Sequence, residues 1–135
     1  MAQAIYEPDD LAGNSNWDGV KPQQLWAGEY PKHTSSGVAD GANTVVFKKY
    51  EVVAYDKATD KYIKYDPTAT AGTAAATPVG FTCQPTVGGD HIQVYDSGAP
   101  NHEALVWPAS LDTFAKRKAA FAYAGSNIFV ARLLG

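Results

Sequence analysis

Cysteine is almost missing: Cys83 stands alone in a chain of 135 residues, which excludes an intrachain disulfide framework and leaves no thiolate pair for zinc. Charge is also scarce, 19% against roughly 25% in an average soluble protein. The net charge of −3 gives no electrostatic footprint for nucleic acid. No apolar run approaches the roughly 18 residues that a membrane span needs. Met1 to Asp10 carries neither a basic n-region nor an apolar h-region, so no secretory signal is expected and synthesis is expected in the cytosol. The chain has 45% hydrophobic residues, which excludes disorder over most of its length. Its 14.4 kDa fits one domain, or one domain with a tail. Twelve glycines and eight prolines favour turns and short strands over long helices.

Residues 1–30 differ from the rest. Five acids (Glu7, Asp9, Asp10, Asp18, Glu29) face one base (Lys21), a net of −4, whereas residues 31–135 carry nine acids and ten bases. No period of 2 or 3.6 is sustained there. Yet Ile5, Tyr6, Leu11, Trp17, Leu25 and Trp26 lie in this stretch, and with them two of the three tryptophans. A free linker has no use for that surface. Two readings stand: an arm that binds a partner, or an arm folded back on its own domain.

From Thr44 the pattern turns to β. Thr44–Tyr50 and Tyr50–Tyr55 are rich in β-branched and aromatic residues, Asp56–Asp60 supplies turn chemistry, and Lys61–Tyr65 returns in alternation, which predicts a hairpin. The Ala/Thr-rich run 68–77 predicts a loop or extended segment. Pro78–Cys83 and His91–Tyr95 read as further strands around Gly88-Gly-Asp90, Asn101–Trp107 as a short extended run, and Ile128–Leu134 as a closing strand. One helix is expected, capped by Ser110 and stopped by Gly125. Leu111, Phe114, Ala115, Phe121 and Ala122 would form its apolar side, and Lys116, Arg117 and Lys118 its wet side.

No catalytic constellation emerges. His102-Glu103 begins like a zinc-protease helix, but Val106 stands where the second histidine belongs. His33 and His91 have no ligand at metal spacing, and each histidine reads as a surface or turn imidazole. Asp56 and Asp60 are the ends of a hairpin turn, without the glutamate of a calcium loop. Asp9-Asp10 is a solvated acidic pair. Gly125-Ser-Asn127 lacks the nucleophile-elbow frame, and Gly88-Gly-Asp90 lacks the ending of a phosphate loop. Cys83 has no base beside it and reads as a buried, inert thiol. The motifs alone indicate a small, mostly β, non-enzymatic domain with no cofactor and no metal.

The C-terminal block adds to this. Val106-Trp-Pro108, then Lys116-Arg-Lys118 with Ala120-Phe-Ala122, resembles the end of the lambda-type tailed-phage head decoration proteins. Upstream, Tyr50–Asp56 followed by Asp90–Gly98, ending in a Ser-Gly turn, fits that family's strand order. Leu25-Trp-Ala-Gly-Glu-Tyr-Pro31 is similar to an N-terminal segment of related decoration proteins. The resemblance spans roughly residues 25–135.

It implies a mostly β fold, a β-clip-like small barrel or sheet with one main C-terminal helix and an extended N-terminal arm. Residues 1–30 would be a capsid-binding arm and 31–135 a β-rich decoration domain. It further implies a homotrimer on the outer surface of the virion head, at local three-fold positions. There it would clamp major capsid protein subunits of the expanded shell against packed DNA, without catalysis or cofactor and without nucleic-acid or membrane partners. Ile5, Tyr6, Leu11, Trp17, Leu25 and Trp26 are the expected arm contacts. Ordering about ten arm residues costs on the order of 10–20 kcal/mol, which about 400–800 Å² of apolar burial offsets; these six side chains supply an area of that order. Trp107, Phe114 and Phe121 fit either the core or a trimer seam. A second reading is a virion-surface module binding carbohydrate or host through Tyr30, Tyr62, Tyr65 and Tyr95. A third is a small hydrolase using His91 or His102.

Overall fold

The computed structural model describes residues 24–122 and 124–133. The order of elements is β1 (His33–Val38), β2 (Val46–Phe47), β3 (Val52–Asp56), β4 (Lys61–Lys64), β5 (Pro78–Thr82), β6 (Thr86–Val87), β7 (His91–Gly98), α1 (Phe114–Ala122) and β8 (Asn127–Ile128). The main sheet runs β1-β7-β5-β3-β4, with β8 added to the end of β7, and β2 pairs separately with β6. All pairs are antiparallel except β7 with β8. The fold is mostly β with one helix near the C-terminus, as expected. A bridge between Ala39 and Tyr62 brings the outer strands together at one end, but the ladder does not continue. The sheet stays open and is not a closed barrel.

Successive strand residues point to opposite faces, and both faces are covered. Val53, Ile92 and Val94 face Ala39, Phe47 and Tyr62 in one core. Val52 and Phe81 face Leu105, Phe121, Ile128 and Val130 in the other. Strand β5 can approach β7 because Gly80 has no side chain: a Cβ there would collide with the carbonyl of Tyr95. The β3–β4 hairpin forms as its turn chemistry dictates. Asp56 Oδ1 accepts from the amide of Ala58 at 3.0 Å, Asp60 adopts φ 58°, and its carboxylate takes the Tyr55 hydroxyl.

Several elements differ from the sequence expectation. Strand β1 has no apolar alternation (His-Thr-Ser-Ser-Gly-Val) and is held at the sheet edge by β7. In 44–50 only Val46–Phe47 is strand, because Tyr50 at φ 60° turns the chain back. The Ala/Thr-rich loop contains a 3-10 turn at Ala74–Ala76. Asn101–Trp107 opens in another, His102–Ala104, where the buried Asn101 side chain accepts from the Glu103 amide. Strand β8 ends at Ile128, although the amides of Phe129 and Ala131 still bond Gly98 and Pro100. The helix is capped by Thr113, whose Oγ1 accepts from the amide of Lys116 at 3.3 Å, not by Ser110; Gly125 follows the helix at φ 70°.

Candidate functional site

The chain joins the body earlier than residue 31. The Ala27 amide bonds the Ala99 carbonyl at 2.9 Å and the Asn101 amide bonds the Leu25 carbonyl at 2.7 Å. Asn101 Nδ2 donates to the Gln24 carbonyl at 3.0 Å. The Trp26 ring lies against Gly98, where a Cβ would strike it. Tyr95 meets that ring edge-on at 5.0 Å and Phe81 is tilted at 5.9 Å, while Lys32 Nζ sits 5.2 Å from its centroid. Leu25 and Trp26 are thus half-buried on the second core. The packing of both fits the reading of this stretch as folded back on its own domain: glycine at 98 opens a place that the indole fills. Ile5, Tyr6, Leu11 and Trp17 lie outside the described residues.

Phe121 is buried and Phe114 and Trp107 pack partly buried on the same core. Trp107 meets the Phe121 ring edge-on at 5.8 Å, and its Nε1 donates to the His102 carbonyl at 2.8 Å. His102 is buried at 9% exposure, not a surface imidazole. Phe114 stacks on it at 4.9 Å, and Arg117 Nη1 donates to its Nδ1 at 3.0 Å. Burial first, then the Arg117 guanidinium, holds the imidazole below its ordinary pKa. Arg117 therefore belongs to the inner side of α1, while Ala115 and Ala122 face outward. The signal was in the sequence: 114, 117, 121 follow a 3.6 period, and only the charge argued otherwise.

Two surface features remain. A cleft of about 290 Å³ is lined by Lys48, Glu51, Val52, Lys64, Tyr65, Val106, Trp107 and Pro108. On another face Tyr30 and Phe129 are 41% and 50% exposed and meet edge-to-face at 4.6 Å. The groove beside Phe129 is about 90 Å³ and runs between Lys118, Ala122, Ile128 and Val130. The sequence singled out Tyr30, Tyr65 and Trp107 separately and in other roles, but neither feature as a whole. Of the four tyrosines proposed as a glycan platform, only Tyr30 is exposed: Tyr62 is buried, and Tyr65 and Tyr95 pack on the second core.

The polar groups of the sequence motifs do not assemble into a hydrolytic relay. His33 Nδ1 lies 2.7 Å from Asp96 Oδ1, and the Ser35 hydroxyl donates to the other oxygen of the same carboxylate. A hydrolytic relay needs the serine on the imidazole; here both groups end on Asp96. Burial pushes the Cys83 thiol up, away from a reactive thiolate. His91 is exposed on β7. Among the described residues no cluster of three or more metal-ligating side chains occurs.

No curated protein matches the chain. The family model of bacteriophage lambda head decoration protein D matches residues 18–127, a span that takes in β1 to β7, the helix, the first residue of β8 and the Trp26–Gly98 contact. On that match the chain belongs to the bacteriophage lambda head decoration protein D family.

Proposed function

We propose that this capsid decoration protein is a cement protein. It binds as a homotrimer to the outer surface of the expanded head, at local three-fold positions, and holds major capsid protein subunits together against packed DNA. The observation that carries this reading is membership of the head decoration family across residues 18–127, a family not known for enzymatic activity.

The geometry supports a division of labour. The body covers both faces of its own sheet, so capsid contact falls to side chains outside those cores. Removing Leu25 and Trp26 from the arm leaves Ile5, Tyr6, Leu11 and Trp17. Two aromatics at roughly 150–250 Å² each, with two aliphatic side chains, still reach the area that ordering an arm requires. Extended backbone in the arm would add to a sheet edge of the capsid protein. One arm binds weakly, and three on one trimer raise avidity by about 10²–10⁴. The exposed Tyr30–Phe129 pair supplies an apolar surface for the contact between copies.

A density map of expanded heads decorated with this chain tests the reading. Trimeric knobs at the three-fold positions are expected. Knobs on other axes, or bare three-fold positions with the protein bound elsewhere, would overturn it.

A further inference from the structure

Past the end of β8 the chain keeps the alternation of a strand. The amides of Phe129 and Ala131 bond the carbonyls of Gly98 and Pro100 at 2.9 and 3.0 Å, and the His102 amide bonds the Ala131 carbonyl at 2.9 Å. In a parallel pair the residues between these turn their backbone groups the other way. The N–H and C=O of Val130 and Arg132 therefore face away from the sheet, and they make no hydrogen bond among the described residues. On the same side, the Ile128 amide is taken by the Ser126 hydroxyl at 3.4 Å. From Val130 onward the edge is open, and an open edge is a template for an added strand.

The surroundings of this edge decide which strand it suits. The groove of about 90 Å³ separates it from α1, with Ala122 and Lys118 on the helix side and Ile128 to Val130 on the other. Its lining is apolar apart from Lys118, and it has room for one small apolar side chain.

Charge is sorted in the same direction. Residues 113–135 hold four bases and no acid. Two of the four are engaged: Lys116 pairs with Asp112 at 3.0 Å, and Arg117 turns inward onto His102 and the Leu111 carbonyl. Lys118 and Arg132 stay exposed. They reach one ring from two elements, the Lys118 Nζ at 5.9 Å and the Arg132 guanidinium carbon at 5.0 Å from the centroid of Phe114. Neither forms an ion pair among the described residues. Cations at an edge discourage pairing between like copies of it, and the same charge favours a strand that carries carboxylates.

We propose that the Val130–Arg132 edge takes an extended, acidic segment of the major capsid protein as an added strand. Its backbone pairs with Val130 and Arg132, its carboxylates meet Lys118 and Arg132, and a small apolar side chain enters the groove against Ala122. The inference rests on the capsid reading and adds to it a second contact, made by the body.

The test decorates expanded heads with the full chain carrying a benzophenone-bearing amino acid in place of Ala119, an exposed helix residue beside Lys118. Irradiation and peptide mapping by mass spectrometry follow. Crosslinks to a capsid-protein stretch of net negative charge are expected. Crosslinks only to other copies of this chain, crosslinks to a neutral or basic capsid stretch, or none on decorated heads overturn the inference and leave the capsid reading in place. Heads that stay undecorated overturn both. Two variants separate charge from backbone. Lys118→Glu with Arg132→Glu should lower affinity for heads at least tenfold at an unchanged melting temperature. Arg132→Pro, which removes only an outward amide from the backbone, should do the same. Unchanged affinity in either overturns the proposal, and should a variant lose its fold, the crosslink map decides alone.

Discussion

Gly98 shows how much a single residue decides. At φ +138° it holds a backbone conformation that side chains resist, and the space it leaves is filled by Trp26. Gly98→Ala should cost roughly 1–3 kcal/mol by overpacking and shift tryptophan fluorescence to the red, read by urea titration with an emission scan. An unshifted spectrum would mean that the indole is not seated there. His102 gives a prediction with a sign. Its folded pKa lies below the ordinary value, so the folded state takes up this proton less readily than the unfolded chain. The stability it contributes is complete above the ordinary histidine pKa of about 6.5 and is lost as the pH falls through that value toward the lower folded one. Melting temperatures between pH 7.5 and 5 should therefore drop, and His102→Gln should flatten the drop. An equally steep fall in the variant would show that other groups carry it.

The helix start is where local rules were misread. Ser110 has the right side chain, but Leu111 closes a turn onto Pro108 instead, its amide 2.9 Å from that carbonyl, and the helix begins after Thr113. Thr113→Ala should cost about 1 kcal/mol, whereas Ser110→Ala should stay within about 0.5 kcal/mol; urea melts of the two variants decide it. The same contrast explains which elements were legible. The β3–β4 hairpin, β5 and β7 carry apolar alternation and turn residues, which act locally. Strand β1 carries neither, and its pairing comes from β7, whose nearest partner in sequence (Val38↔His91) is 53 residues away. Trp26 looked like arm because its partners, Phe81, Tyr95 and Gly98, are distant in sequence. Arg117 looked solvated because charge outweighed a helical spacing that was correct. The mixed cleft draws on the β2–β3 turn, β4 and the 106–108 segment, and no short motif announces such a meeting.

At the scale of the whole molecule, the proposed function joins a body whose sheet is covered on both faces to a segment whose apolar side chains bind the capsid. In the proposed trimer, self-association falls to the Tyr30–Phe129 face. Phe129→Ser should leave the melting temperature of the body nearly unchanged, since the ring is half exposed, and lower the solution mass from trimer toward monomer; a retained trimer would place the seam elsewhere. The central claim is that residues 1–23 make the capsid contact while Leu25 and Trp26 stay in the body. The most direct measurement is the occupancy of expanded heads by the full chain and by a chain lacking residues 1–23, read by gel densitometry at matched concentrations. The account predicts that occupancy collapses on deletion while the shortened protein keeps its fold and its melting temperature. Equal occupancy by the two proteins would contradict it.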